Sequence, residues 1–559
     1  MAKMSGASAL VESLRRQKVK CVFGIPGGVI ISLYDVIYDA DFRSVLARHE
    51  QCAAHMADGY ARACGFPGVC IATSGPGATN LVTGIATAYL DSSPIIAITG
   101  QVPRVMIGKD GFQEADIVGI TKGVTKWNTQ IMNAKEIPRT VKMAFHIAST
   151  GRPSPVLLDF PSDTLTEIDE MDFSGSINLR GYKPNYDPHP IQVRRAAELL
   201  VKAERPMMLV GGGAILSGAS HEVLKVAECM STPIATTLMG KGSIPENHPL
   251  SAGMVGMHGT VPANRSILEA DVLLVVGARF SDRTTGKLDQ FCPDAKIIHI
   301  DIDSAEIGKN AKVDLPIVAD AKITLNNIYK QIIEMGVKKE KSTWFERLEE
   351  LRSQNADSNR DRGEQLKPAE ILSTLRKLLP NNAIVTTEVG QNQMWAALHF
   401  KAFEPRTFIS SGGLGTMGFG FPASLGAKVA RPNVPVIDIA GDGSFRMTEQ
   451  ELATSVSEEI PVIVVILNNS MLGMVAQWQR LFYDRRYSHT KLGNLPDFVK
   501  LAEAYGAQGY RAESITEFSR AVTEALKNEV TTVIDVPISP EENVFPMVPA
   551  GAGLKDMLT

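Results

Sequence analysis

Val436-Ile437-Asp438-Ile439-Ala440-Gly441-Asp442-Gly443-Ser444 decides the fold, together with Pro461-Val462-Ile463-Val464-Val465-Ile466-Leu467-Asn468-Asn469. Both are strand-length runs ending in polar, turn-forming residues, with strands expected over 434–439 and 462–467. The second is apolar at every position through Leu467, as suits a central parallel strand buried on both faces. Residues 447–459 between them read as one helix. In such a βαβ unit both strand ends fall on one edge of the sheet, where open α/β proteins bind ligands. Asp442 and Asn469, about 27 residues apart in sequence, therefore share that edge. Their hard oxygens suit one Mg²⁺-like cation, with positions left for phosphate oxygens and water. Gly441 and Gly443 let the main chain approach a phosphate. Gly-Asp-Gly alone is a common turn; the strand context and the distant Asn-Asn give it weight.

The same alternation of strand and helix extends outward. A third block, 366–545, opens with a helix over 368–379 and has further strands at 383–386 and 532–536. A first block, 1–170, has a helix at 7–17 and strands at 21–23, 68–72, 95–99 and 156–159. A middle block, 190–335, has strands at 207–210, 272–276 and 296–300 and a helix at 222–230. The fold class is α/β, with three doubly wound parallel-sheet domains. The first and third share a size and a rhythm, which predicts related folds flanking a different middle one. Segments 171–190, rich in acidic, Gly, Asn and Pro residues, and 338–365, dense in charge, read as linkers, the second carrying a solvated helix. Residues 546–559 form a closing tail.

A chain of 559 residues exceeds what one core supports. A net charge of -4, with acidic and basic residues interspersed, leaves no footprint for nucleic acid or an anionic membrane. A small-molecule substrate fits better. No stretch reaches the roughly 18 apolar residues of a membrane span, and residues 1–10 lack a signal-peptide pattern. The expectation is a soluble, cytoplasmic protein. Cys21, Cys52, Cys64, Cys70, Cys229 and Cys292 show no Cys-x-x-Cys spacing and are expected to be reduced and mostly buried.

The Gly441 to Ser444 turn with Asn468-Asn469 resembles the thiamine-diphosphate signature of the pyruvate-decarboxylase-like enzymes. The resemblance implies that Asp442, Asn469 and the main-chain carbonyl of Met471 hold Mg²⁺ on the diphosphate. It assigns Pro26, Ser74, Asn80, Gln391, Gly415, Gly441, Gly443, Ser444, Gly473 and Met474 to the cofactor, in a pyrimidine-binding first domain and a diphosphate-binding third. Glu50 follows the short apolar run Val45-Leu46 and precedes a helix expected near Ala53. Alone, it reads equally as a helix-start residue favoured by the dipole. In the family a glutamate there switches the cofactor's aminopyrimidine to its imino form, and Gly28 and Gln113 join it as catalytic candidates. Met417, in Gly412-Gly413-Leu414-Gly415-Thr416-Met417-Gly418 before a helix at 422–430, is bland alone; in the family such a residue wedges between the cofactor's rings.

Over nearly the whole chain the sequence resembles the acetohydroxyacid synthases. Phe23-Gly24-Ile25-Pro26-Gly27-Gly28, Ser74-Gly75-Pro76-Gly77-Ala78-Thr79-Asn80 and Phe112-Gln113-Glu114 are similar to that family's first domain. Gly256-Met257-His258-Gly259, Val276-Gly277-Ala278-Arg279-Phe280 and His299-Ile300-Asp301-Ile302-Asp303 resemble its FAD-binding segments. FAD is thereby assigned Arg152, Gly211, Gly212, Gly213, Met257, His258, Gly277, Arg279, Asp301, Ile302 and Asp320. The substrate residues implied are Arg283, whose guanidinium suits a carboxylate, Trp478 and Phe112. The implied reaction decarboxylates pyruvate and joins the two-carbon unit to pyruvate or 2-ketobutyrate, the first common step of branched-chain amino-acid biosynthesis. A homodimer or homotetramer and a small regulatory subunit are implied partners. An FAD-free catabolic acetolactate synthase and a pyruvate oxidase are the rival readings. The sequence departs from the family at Ser162, at Ser281 and at Asn392, where a diphosphate donor is expected to be lost.

Overall fold

The computed structural model describes residues 2–339, 343–356 and 366–559. Three six-stranded sheets, all parallel, carry the fold. The first is ordered Arg43–Leu46, Cys21–Gly24, Gly68–Ala72, Ile95–Gln101, Val156–Pro161, Trp127–Gln130. The third runs Phe408–Ser410, Ile384–Thr387, Val436–Gly441, Ile463–Asn468, Thr532–Pro537, Gln508–Arg511. Numbered by chain order within each sheet, both read 2-1-3-4-6-5, so the expected kinship of the outer domains holds. The middle sheet, Ser251–Met254, Ile234–Thr236, Pro206–Val210, Val272–Val276, Lys296–Asp301, Leu315–Val318, reads 3-2-1-4-5-6, the dinucleotide-binding order. Each order reverses direction at its first strand, and the crevice beside that strand's carboxyl end is where a ligand fits. Among the described residues no helix is long and apolar enough to cross a membrane.

Differences from the expected elements have local causes. Ala2–Ser5 pairs antiparallel with Ile168–Met171, a small ribbon outside the three sheets. Residues 171–190 are not a free linker: Met171 is fully buried, and the Tyr182 hydroxyl receives a 2.9 Å hydrogen bond from Lys126 Nζ. The expected solvated helix is Thr343–Ala356, but it buries Trp344, Phe345, Leu348 and Leu351. The Trp344 indole donates to Pro206 O at 2.9 Å, tying this helix to the middle domain. The rest of that charged segment, 357–365, lies outside the described residues. The single helix expected over 447–459 is broken. After the short helix Asp442–Phe445 the chain advances through i,i+3 turns, Met447 N–H to Ser444 O and Thr448 N–H to Phe445 O, before Glu451–Ser457.

The outer domains meet at one helix crossing, Glu50–Cys64 of the first against Gly420–Ala430 of the third. Both are rich in small buried residues and share one core. A Cβ on Gly426 would lie 1.8 Å from Met56 O, and one on Gly59 2.1 Å from Ala423 O. The two backbones touch. His55 is fully buried here, its ring edge-on to Phe419 at 5.3 Å.

Burial pushes the His55 pKa down to about 4. Between the ordinary value of about 6.5 and that value, the unfolded chain binds a proton the native imidazole refuses. Stability therefore falls as pH drops through this window. His55→Gln should flatten this share of the loss, at most about 3 kcal/mol, read as the wild-type-minus-variant difference in urea unfolding between pH 7 and pH 4. A difference independent of pH would contradict it.

Candidate active site

The reversal point of the third sheet lies between Ile384–Thr387 and Val436–Gly441, and a pocket opens there. Val389, Gly390, Gln391, Asn392, Met417, Gly441, Asp442, Gly443, Ser444, Asn469, Met471, Gly473 and Met474 all line it. The structure thus gathers most of the sequence-derived diphosphate residues; Gly415, with φ +73°, lies two residues before Met417.

Asp442 begins the helix Asp442–Phe445 and is 1% exposed. Its Oδ2 accepts no hydrogen bond among the described residues, and the nearest cation, Arg446 Nη2, stands 3.8 Å away. Burial lifts its pKa to about 7. A buried carboxylate oxygen without a partner is costly, and a divalent cation would satisfy it. The Asn469 carboxamide is held in place: Oδ1 accepts from Met471 N–H at 3.1 Å, and Nδ2 donates to Gln391 Oε1 at 2.9 Å. Gln391 Nε2 donates in turn to Gln477 Oε1 and Glu542 O, both at 2.9 Å. Gln391 therefore orients Asn469 with all its polar atoms engaged. A Cβ on Gly473 would come within 2.1 Å of Gln391 Oε1, so the pocket requires glycine there. No group of three or more His, Cys, Asp or Glu placed to hold a metal exists among the described residues. A cation at Asp442 and Asn469 would complete its shell from diphosphate and water, which fits the donor set. Asn392 lines the pocket but donates to Ile439 O at 2.8 Å.

Met417 is positioned by residues that motif reading passed over. Glu388, fully buried, accepts from Gly418 N–H at 2.7 Å and Phe421 N–H at 2.9 Å. Asp438, buried close by, accepts from the Thr386 hydroxyl at 3.1 Å, and burial raises both carboxyls. Across the domain boundary Asp91 accepts from Gly413 N–H at 2.6 Å and Gly412 N–H at 3.2 Å. Thr87 and Thr416 share a 2.7 Å hydroxyl contact, and Arg62 ion-pairs with both Asp58 and Asp91. No motif marks Glu388, which follows the strand Ile384–Thr387.

In the first domain the helix begins at Glu50 itself, three residues before the expected start, with His49 Nδ1 accepting from Gln51 N–H at 3.1 Å. Glu50 Oε2 accepts from Asn80 Nδ2 at 3.0 Å, and a Cβ on Gly77 would approach Oε1 to 3.3 Å. Pro26, Gly28 and Ser74 stand at the first sheet's own reversal point, beside Cys21–Gly24 and Gly68–Ala72. The Ser74 Oγ is buried without a hydrogen-bond partner among the described residues, Gln113 adopts φ +60°, and Phe112 is 89% exposed. Every residue lining the Asp442 pocket belongs to the third domain, and Glu50 is not among them.

In the middle domain Gly211 and Gly277 meet main chain to main chain, a Cβ on Gly211 falling 2.2 Å from Gly277 O. Gly213 packs on Gly277 in the same way, while Gly212 faces Met239. These contacts account for Gly211, Gly213 and Gly277 by packing alone. Arg152 is neutralised by Asp303 at 3.1 Å and Glu306 at 2.7 Å. Arg279 is half-buried, and no ion pair holds its guanidinium among the described residues; burial and the nearby Arg152 charge lower its pKa. It fits an anionic group. Asp301 is buried and raised to about 6, next to Ile302; Asp320 caps a helix through Ile323 N–H at 2.9 Å. His258 is buried and pushed down to about 4, its Nδ1 3.3 Å from Pro546 O.

Arg283 is exposed, its Nη1 3.2 Å from Met257 Sδ; Trp478 is half-buried on the helix Gly473–Phe482. The C-terminal tail ties their neighbourhoods together. Gln477 Nε2 donates to Val544 O at 3.2 Å, Val548 N–H to Met257 O at 2.7 Å, and Lys287 N–H to Ala552 O at 3.1 Å. Ser281 shares a 3.1 Å hydroxyl contact with Thr284, and Ser162 starts the short helix Ser162–Thr166.

Comparisons with known proteins agree with this division. Residues 4–120 match the family model for the thiamine pyrophosphate enzyme N-terminal TPP-binding domain, 193–328 the central domain, and 388–536 the C-terminal TPP-binding domain. The chain is 51% identical to a "Probable acetolactate synthase large subunit" of Methanocaldococcus jannaschii, over 99% of this chain and 95% of that one. It is 43% identical to the acetolactate synthase isozyme 3 large subunit of Escherichia coli, over 100% and 99% of the two chains. It is 46% identical to an acetolactate synthase of Mycobacterium leprae, over 98% and 89%.

Gly473→Ala should drive the Gln391 carboxamide off Asn469 and weaken Mg²⁺-dependent binding of thiamine diphosphate by about tenfold or more, with the fold retained by circular dichroism. Wild-type affinity measured by calorimetry would contradict this geometry.

Proposed function

Because the chain belongs to the thiamine pyrophosphate enzymes and, within them, to the acetolactate synthase large subunits, we propose that it decarboxylates pyruvate and condenses the two-carbon unit with pyruvate or 2-ketobutyrate. The observation that carries this reading is the buried Asp442 oxygen, which accepts no hydrogen bond among the described residues, beside the oriented Asn469 at the reversal point of a parallel sheet. Bound thiamine diphosphate supplies the electron sink that 2-keto acid decarboxylation requires. Asp442, Asn469 and the Met471 carbonyl would hold Mg²⁺ for the diphosphate, which the Gly441-Asp442-Gly443 turn and the main chain at Gly473 would bind. Met417 would support the bound cofactor. Glu50 would be the acid-base group for its aminopyrimidine ring, with Asn80 Nδ2 steadying the carboxylate. FAD would be held by the middle domain, where Arg279 could pair with its anionic groups, in a structural capacity, since joining two keto acids transfers no net electrons.

Arg283 grips the carboxylate of the acceptor, and the Trp478 indole packs against the extra methyl of 2-ketobutyrate. The tail and the helix Gly473–Phe482 exclude water, which would otherwise protonate the bound two-carbon unit. A homodimer is the smallest active unit, because Glu50 is not among the residues that line its own chain's pocket. That relatives are named as large subunits supports a small regulatory partner. The six free cysteines, five of them buried, suit a cytoplasmic setting.

The reading is tested by supplying pyruvate and 2-ketobutyrate together and measuring both products. Trp478→Leu should lower the ratio of acetohydroxybutyrate to acetolactate by about 10- to 200-fold, the worth of one methyl in an apolar pocket, with pyruvate decarboxylation nearly intact. Arg283→Lys should depress both products together, because it loses the two-pronged grip that both acceptors share. An unchanged ratio in Trp478→Leu would reduce that residue to packing. Acetaldehyde as the sole wild-type product would overturn the carboligation itself.

A further inference from the structure

Glu451 opens the helix Glu451–Ser457 of the third domain, yet its carboxylate is spent on the first. It is fully buried, and Arg48 N–H donates to its Oε1 at 3.0 Å and its Oε2 at 3.2 Å. The Thr454 hydroxyl lies 2.6 Å from Oε2 and 3.1 Å from Leu46 O. Around this pair, Leu46 N–H donates to Glu458 Oε1 at 3.1 Å and Arg48 Nη2 to Ser457 Oγ at 3.0 Å. The Arg43 guanidinium reaches Glu458 O. Within its own domain the turn between Arg43–Leu46 and the helix start is held through Ala47 N–H, 3.1 Å from Gly24 O, and His49 O, which accepts from Ala53 N–H at 3.1 Å. Arg48 N–H, between them, is held by the other domain of the same chain.

We infer that Glu451 is a positioning residue for Glu50: by holding the Arg48 main chain, two residues upstream, it fixes where the Glu50 carboxylate stands and how its helix begins. The inference rests on the reading of Glu50 as the carboxylate that serves the cofactor. Removing Glu451 strands a main-chain N–H at the domain interface. The turn then relaxes, and a displacement of about 1 Å at a reacting group is worth about 100-fold in rate.

Two readouts test it, one of them on cofactor-free protein. In Glu451→Ala, deuterium uptake over residues 46–53 should quicken about tenfold or more, while strand Pro206–Val210 of the middle domain keeps wild-type protection. With thiamine diphosphate and Mg²⁺ bound, exchange of the cofactor's C2 hydrogen should slow about 10- to 100-fold, with cofactor affinity essentially unchanged. Glu451→Gln, which retains one acceptor for Arg48 N–H, should restore most of both. The pair Glu50→Gln and Glu451→Ala should be no slower in C2 exchange than Glu50→Gln alone, because Glu451 acts only through Glu50. If Glu451→Ala does not fold, Thr454→Val should show both effects in smaller measure. Unaltered uptake over 46–53, or losses that add in the double variant, would overturn the inference. A Glu50→Gln variant with wild-type C2 exchange would instead remove the reading of Glu50, whatever the uptake experiment shows.

Discussion

Contact of main chain with main chain between Glu50–Cys64 and Gly420–Ala430 is the constraint on which the rest depends. Where Gly426 faces Met56 O and Gly59 faces Ala423 O there is no side chain to yield, so the helices have one spacing and one register. The first helix begins with Glu50, and the second is entered directly after Met417 and Gly418. Two elements on which the chemistry would depend are therefore set by one rigid joint, and a methyl group added at Gly426 would disturb both.

Buried carboxylates complete that joint. Asp91, Glu388 and Glu451 each accept main-chain N–H groups from a segment next to Met417 or Glu50. Hydrogen bonds to a charged group contribute about 1.5–3 kcal/mol, against about 0.5–1.5 kcal/mol for neutral pairs, and leave the donor little freedom. Asp91 and Glu451 reach across the domain boundary in opposite directions. The first domain holds the Gly412-Gly413 turn, and the third holds Arg48.

The parts legible in sequence were those with local signatures. Strand-length apolar runs ending in Gly441-Asp442-Gly443 and Asn468-Asn469 located the sheet edge, and the 2-1-3-4-6-5 order of both outer sheets matches their shared rhythm. Residues 447–459 were misread as one helix because their composition is helical, whereas the turns around Ser444 to Thr448 bring Glu451 round to face Arg48. The charged segment hid an apolar stripe, Trp344, Phe345, Leu348 and Leu351, under its Glu and Arg residues. Glu388, Asp91 and Glu451 were invisible for a different reason. The main-chain N–H groups they hold lie 30 to 403 residues away, and an amide N–H carries no residue identity to read. The middle domain's glycines looked like a phosphate turn but are explained at least as well by packing on one another.

If Glu50 and Asp442 serve one site, and a chain keeps them apart, two chains must supply them. Complementation tests this most directly. Glu50→Gln and Asp442→Ala chains, each inactive alone, are mixed in equal amounts, dissociated and reassembled, and acetolactate formation from pyruvate is measured. In a symmetric dimer with shared sites, half of the assemblies are mixed, and each mixed dimer has one wholly wild-type site. Activity should then recover to about a quarter of wild type. Mixed dimers that form but stay inactive would mean that Glu50 and Asp442 work within a single chain.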